Sequence, residues 1–402
     1  MFDDVLQSRM ERIAASRARE RAEQAQQLRD IAALVDECGD WPQTAPDGVP
    51  TFAAEELAAV EIACALGLSQ QTAMKQVCHA VDTCTRLPGA VEALARGVLC
   101  PIGVLILAEQ TAQLTPEQAA EVLDRVLLRA AGKTLGQLRA LVRRAVAAVD
   151  PKALIERARR SVADRHVALF PQDDGMAGLW ALLPAVDAEH AFHALTALAN
   201  RSVSAIQDGQ PDAEDADDRT LDQRRADTLL DLILRPTAGR DVDMQTHVTI
   251  AVPVDPTTGE TGVAEMRGHG PIDADTLADL IARATDVRLY AVDAETGTAA
   301  PHIIKPSRAY TPGAALARHL RDRDVTCRFP GCRRRAERCD LDHAIPYPEG
   351  PTAADNLSCL CRFHHRVKTH TPWGIDLDPD GVVTWTSPTG RRYVTHPWNH
   401  LE

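Results

Sequence analysis

The stretch "LCRFHHRVKTH" runs from Leu360 to His370 and places two adjacent histidines three and four residues after Cys361. Neighbours on a helix diverge by about 100°, so His364 and His365 cannot point the same way. Both the i+3 and the i+4 position share a face with Cys361. Local spacing therefore does not say which histidine joins the cysteine. The choice depends on the other ligands that the chain offers.

Upstream, "CRFPGC" (Cys327–Cys332) brings two cysteines together around a Pro-Gly turn. A structural zinc ion takes four Cys or His ligands in a tetrahedron, supplied as two closely spaced pairs. Cys327 with Cys332 is one pair, and Cys361 with His364 is the other. Cys339 and Cys359 read as packing thiols, with Cys359 the rival zinc ligand. These five cysteines fall within 35 residues, whereas Cys38, Cys64, Cys78, Cys84 and Cys100 are scattered through helical sequence. The scattered five read as buried free thiols that behave as small hydrophobes. The first residues hold no apolar core of a signal peptide. The most apolar run, Gly97–Ala108, is too short to span a bilayer and contains Pro101. A soluble cytoplasmic protein is expected, and clustered cysteines in such a chain point to metal rather than disulfides.

Between the two pairs stands "CDLDHAIP" (Cys339–Pro346), and "ADNL" (Ala354–Leu357) follows. Asp342 offers a hard oxygen ligand beside His343, an imidazole that titrates near neutrality. A carboxylate, two histidines and an asparagine around a cation form a hydrolytic set. A divalent ion can stabilise charge on a phosphate while a histidine deprotonates water. Assigning His364 to zinc and His365 to this second ion leaves no ligand over.

The 402 residues carry a formal charge of −13, unevenly spread. From Pro301 to Glu402 there are 15 Lys+Arg against 11 Asp+Glu, a balance of +4, so the first 300 residues hold −17. The basic tail suits nucleic acid, and the acidic part suits a protein surface rather than phosphate. Arg333, Arg334, Arg335 and Arg338 form a cluster suited to backbone phosphates, and Arg366 and Lys368 are further candidates.

Abundant alanine and few aromatics suggest closely packed helices. Amphipathic segments cover roughly Ala53–Leu66, Gln70–Arg86, Val91–Arg96, Pro101–Gln113, Pro116–Ala131 and Leu135–Val149. Asp40–Pro50 reads as a linker and Gln207–Thr220 as an exposed acidic loop. "THVTIAVPV" (Thr246–Val254) and "DVRLYAV" (Asp286–Val292) read as strands, and "GVVTWTS" with "RRYVTH" as a C-terminal hairpin. Four regions follow: residues 1–50, an N-terminal helix and linker; 51–240, mostly helical; 241–309, a small α+β segment; and 310–402, the metal-binding domain.

The segment from about Asp324 to His370, reading "CRFPGC…DLDHAIP…DNL…LCRFHH..KTH", resembles the HNH endonucleases with their ββα-metal fold. The resemblance implies that His343 is the general base, that Asn356 holds its loop by hydrogen bonds, and that Asp342 and His365 bind a catalytic divalent ion, Mg²⁺ or Mn²⁺. It also assigns Cys327, Cys332, Cys361 and His364 to a separate structural zinc. One departure is present: many relatives have Cys-x-x-Cys-His where this chain has Cys-x-x-His-His, and histidine is a competent zinc ligand. The motifs "EIACALGLS", "TRLPG", "DGMAGLWALLP", "RTLDQRRAD", "GHGPI" and "RDRDVTCRFPGC" resemble the actinobacterial thirteen-E-twelve repeat proteins. In those, a helical domain of unknown function, family 222, precedes an HNH domain. The likeness covers roughly Ala53 to His396.

The expected fold is thus a mainly α N-terminal region with a small α+β segment, followed by a zinc-stabilised ββα-metal domain. The expected function is metal-dependent hydrolysis of DNA phosphodiester bonds. A zinc-stabilised nucleic-acid-binding or interaction module without turnover is the alternative. For the acidic helical region, binding a protein partner, self-association and restraint of the nuclease all stay open.

Overall fold

The structure is a computed structural model that describes residues 2–44, 51–151, 159–172, 176–207, 219–234, 247–255, 257–266, 270–283, 286–299 and 309–400. Residues 45–50 of the expected linker and 208–218 of the expected acidic loop lie outside them. The chain divides into two units: residues 1–156, 253–261 and 291–402, and residues 157–252 and 262–290.

The first unit begins with helices α1 (Phe2–Gly39), α2 (Ala54–Leu66), α3 (Gln70–Arg86), α4 (Pro88–Ala95), α5 (Pro101–Thr111), α6 (Pro116–Ala130) and α7 (Leu135–Val149). Local sequence sets their ends. The Ser69 hydroxyl accepts from the Thr72 amide at 3.2 Å and so caps α3. Thr115 and Gln118 cap each other reciprocally at 3.3 and 3.0 Å, with Pro116 at the first helical position of α6. Thr134 and Gln137 repeat the arrangement on α7. α2 stops at Gly67, whose φ of 64° suits a residue without a Cβ. Ala58, Ala59, Ala73, Ala80, Ala90 and Ala93 are fully buried, which lets the helices approach closely.

The same unit continues with α11 (Ala314–Asp324), strands β7 (Cys339–His343) and β8 (Leu357–Cys361), helix α12 (Arg362–His370), and strands β9 (Gly374–Leu377), β10 (Val383–Thr386) and β11 (Arg392–Thr395). β7 and β8 pair antiparallel, with Cys339 opposite Cys361 and His343 opposite Leu357. The C-terminal hairpin forms as β10 and β11, and β9 adds a third antiparallel strand on the other edge of β10.

Two large apolar cores serve this unit, beside a small cluster of Leu316, Leu320 and Leu357. One joins Ala25 of α1 to α4, α5, α6 and α7 through Leu94, Leu107, Val122 and Val142. The other joins Val35, Leu57, Val60 and Val77 of α1, α2 and α3 to Phe329, Leu360, Val367, Trp373 and Trp385. Helices from the start of the chain and the cysteine-rich segment near its end are therefore buried against one another.

The second unit contains a hairpin of β1 (His166–Pro171) and β2 (Ala177–Leu182), helices α8 (Ala185–Gln207) and α9 (Leu221–Leu234), and α10 (Ala274–Arg283). The strand-like segments expected around Ile250 and Val287 appear as β3 (His247–Val254) and β6 (Asp286–Asp293). With β4 (Ala264–Met266) and β5 (Gly270–Ile272) they form a sheet of order β5-β4-β3-β6. β1 and β2 were not expected: "HVALFP" and "AGLWAL" are short apolar runs without a clean alternation. Among the described residues no helix is long and apolar enough to cross a membrane.

Candidate metal centre

The four side chains of Cys327, Cys332, Cys361 and His364 converge, their ligand atoms all within 4.8 Å of one another. The Pro-Gly turn brings the first pair round, with the Cys332 amide bonded to the Phe329 carbonyl at 3.0 Å. The end of β8 and the first turn of α12 supply the second pair. Nδ1 of His364 lies 3.3 Å from the Cys361 sulfur and 3.6 Å from that of Cys327. A tetrahedral centre with Zn–S near 2.3 Å and Zn–N near 2.1 Å places S and N about 3.6 Å apart, so the spacing fits a metal such as zinc. Phe329 stacks on the His364 ring at 4.0 Å and 7°, which fixes its plane. Burial pushes the Cys327 thiol up, while bonds from Cys327, then Cys332, draw the Cys361 thiol down towards thiolate. Cys359 points elsewhere, its sulfur 3.7 Å from the Leu320 carbonyl. Cys339 donates to the carbonyls of Arg335 and Arg334 at 3.4 and 3.7 Å.

His365, the next residue, faces a different group. Its Nε2 lies 3.1 Å from Asp342 Oδ1, and its Nδ1 lies 2.9 Å from Asp340 Oδ2. Asp340 and Asp342 are two apart on β7 and so share one face of the strand, the face that α12 covers. Lys368, three residues after His365, reaches Asp342 Oδ2 at 2.5 Å and the His343 carbonyl. Burial works against charge on Asp342, but His365 and Lys368 outweigh it and hold the carboxyl below its ordinary range. Hydrogen bonding to Asp342, and then to Asp340, raises the His365 imidazole.

His343 occupies the opposite face of β7 and is buried. Its Nε2 lies 2.9 Å from the Thr352 hydroxyl, and its ring stacks on Tyr310 at 5.4 Å. Burial lowers its pKa. Asn356 ties the connecting loop at three points: its Oδ1 accepts from the Ile345 amide at 2.8 Å, and its Nδ2 donates to the carbonyls of Ile345 and Pro351 at 3.0 and 2.9 Å. Gly350 makes room for this, since a Cβ there would collide with Asn356 Nδ2.

Arg333, Arg334, Arg335 and Arg338 lie on the segment between the first cysteine pair and β7, and all four are exposed. Arg366 projects elsewhere: its guanidinium donates to the Thr51 carbonyl at 2.8 Å and covers the Phe52 ring at 5.0 Å. Sequence reasoning passed over Asp340 and Thr352. The alternation in "CDLDH" was the available signal for Asp340. Nothing local marks Thr352, nine residues from the histidine it meets.

Comparison with known proteins covers most of the chain. Uncharacterized protein Rv3776 of Mycobacterium tuberculosis strain H37Rv is 32% identical over 387 residues, covering 85% of this chain and 70% of the relative. Uncharacterized protein Rv2100 of the same strain is 31% identical over 443 residues, covering 95% of this chain and 76% of its own length. No solved structure matches. The family model described as "Domain of unknown function (DUF222)" matches residues 7–324, ending just before Cys327, and the chain belongs to that family.

Proposed function

We propose that this chain is a metal-dependent HNH-type endonuclease that hydrolyses DNA phosphodiester bonds in the cytoplasm, with zinc at the Cys₃His cluster. The carrying observation is the 3.1 Å approach of Asp342 Oδ1 to His365 Nε2, directly beside His343 on the same strand. These two atoms are a hard oxygen and an imidazole nitrogen, a donor pair suited to Mg²⁺ or Mn²⁺. Such an ion, when bound, supplies charge stabilisation to a phosphate oxygen and the leaving oxygen.

The remaining chemistry belongs to the chain's own side chains. The Thr352 hydroxyl donates to the Tyr310 carbonyl at 3.3 Å, so its oxygen accepts from His343 Nε2–H. That leaves the lone pair of His343 on Nδ1, and its lowered pKa keeps the ring neutral and basic near pH 7. His343 takes a proton from water, the oxygen attacks phosphorus, the P–O bond to the 3′ oxygen breaks and that oxygen takes a proton from solvent, leaving a 5′-phosphate and a 3′-hydroxyl. Asn356 holds the loop that carries the base. Arg333, Arg334, Arg335 and Arg338 meet backbone phosphates, and Lys368 adds positive charge beside Asp342. Arg366, engaged with Thr51 and Phe52, is left out of that surface.

The test is nicking of supercoiled plasmid with Mg²⁺ or Mn²⁺. Wild type is expected to nick, and His343→Ala is not, while both retain one zinc per chain. Equal activity in the two removes His343 as the base. DNA binding without cleavage under every metal condition supports the binding-module alternative.

A further inference from the structure

We infer that Asp340 is a positioning residue for the divalent ion: it anchors the far nitrogen of His365 and turns the near nitrogen towards Asp342. The inference rests on the nuclease reading above and extends it to a residue outside the expected ligand set. Asp340 and Asp342 contact opposite nitrogens of one imidazole ring, at 2.9 and 3.1 Å. An ion bound at Nε2 beside Asp342 therefore lies on the far side of the ring from Asp340. Asp340 is thereby excluded as a ligand to that ion and assigned another task. An ionised carboxylate only accepts, so Nδ1 must carry the proton in this contact. Nε2, which faces Asp342, is then the nitrogen left for a cation. Carboxylates that accept from the outer nitrogen of a ligating histidine fix its tautomer and plane, and their loss commonly weakens metal binding about 10- to 100-fold.

The strand makes the device possible. Residues i and i+2 of β7 point to the same face, so one short segment supplies both the ligand and the anchor. Asp340 also has Arg362 Nη1 at 3.4 Å from the same oxygen, but that guanidinium is largely exposed and contributes little. The His365 contact is the shorter and the less exposed of the two.

The experiment is calorimetric titration of Mn²⁺ into the full-length, zinc-loaded chain as wild type, Asp340→Asn and Asp340→Ala. The Asn amide oxygen still accepts from Nδ1–H, so Asp340→Asn is expected to weaken Mn²⁺ by less than about tenfold. Asp340→Ala is expected to weaken it about 10- to 100-fold, with zinc content unchanged in both. Wild-type affinity in Asp340→Ala overturns the inference. Equal losses in both variants also overturn it, since they would reflect charge rather than orientation. A wild-type chain that binds Mn²⁺ but leaves plasmid intact removes the nuclease reading alone, and the two Asp340 variants still decide this one. A wild-type chain that binds no Mn²⁺ removes both.

Discussion

His364 and His365 are adjacent in sequence yet serve separate clusters: Nδ1 of His364 lies 3.3 Å from the Cys361 sulfur, and Nε2 of His365 lies 3.1 Å from Asp342. One helical step of about 100° separates the two directions. The ββα segment thus places a cysteine cluster and an acid–base cluster on adjoining faces of α12.

That division predicts an asymmetry between substitutions. His364→Cys is expected to retain one zinc and most nicking activity, because thiolate is an equivalent ligand. His365→Ala is expected to retain zinc and lose nicking. Elemental analysis together with plasmid nicking reads both, and the reverse pattern would mean that the two histidines have exchanged roles.

A second prediction concerns Asp324, whose side chain is fully buried. It accepts from Arg323 and Arg328, both at 2.8 Å, and from the Cys359 amide at 2.8 Å. Burial works against its charge, but Arg323 and then Arg328 hold the carboxyl below its ordinary range. The two arginines also donate to carbonyls of Ala354, Leu357, Gly381 and Thr395, which fastens the loop before β8 to the C-terminal sheet. Asp324→Asn leaves two buried guanidinium groups without their counter-ion and is expected to cost about 3 to 5 kcal/mol. Urea unfolding followed by tryptophan fluorescence measures it, since Trp373 and Trp385 are buried in the same core.

Glu61 sets a pH dependence. It is 6% exposed on α2, and its Oε1 has no hydrogen-bond partner among the described residues. Burial raises its pKa to about 7, against a smaller opposing effect of Arg391 and Ser387. Cys38, Cys64 and Tyr393 are its other titratable neighbours, each held in its neutral form by burial first and then, in part, by the Glu61 charge. The folded chain therefore holds a proton that the unfolded chain releases near its ordinary value. Stability from this group is fully present below that ordinary value and is lost as pH rises towards 7. Glu61→Gln is expected to gain on the order of 2 kcal/mol relative to wild type between pH 5 and pH 8. Denaturant midpoints across that range decide it, and parallel curves would show that the carboxyl is not desolvated.

Gly331 offers a test of the contact between the two ends of the chain. Its φ is +71°, and a Cβ there would lie 2.5 Å from the Leu68 carbonyl oxygen. Gly331→Ala carries both the left-handed backbone cost and this clash, together about 1 to 3 kcal/mol or more. The variant is expected to lower the unfolding midpoint and to speed loss of zinc to a chelator. An unchanged chelation rate would show that the turn moves away from Leu68 without disturbing Cys332.

Much of the helical framework was legible because its signals are local. Ser69, Thr115 with Pro116, and Thr134 stand where helices α3, α6 and α7 begin, and each acts through bonds within one turn. The two ligand pairs were legible for the same reason, since each pair closes within six residues. β1 and β2 were missed because a short apolar run has no period that distinguishes strand from helix. β9 was missed because its burial depends on Val383 and Trp385 across the sheet.

By itself, the sequence determined where helices α3, α6 and α7 begin and which Cys and His side chains, Cys327 with Cys332 and Cys361 with His364, come together as two pairs. Tertiary structure alone decided that Phe329, Val367 and Trp385 share a core with α1, α2 and α3, that Arg366 turns to Thr51 rather than outward, and that Asp340 meets the outer nitrogen of His365. The reason is range. Caps, turns and ligand pairs act between residues a few positions apart, where the chain itself sets the geometry. These other contacts join groups 25 to more than 300 residues apart, whose meeting is set by burying apolar surface common to distant segments.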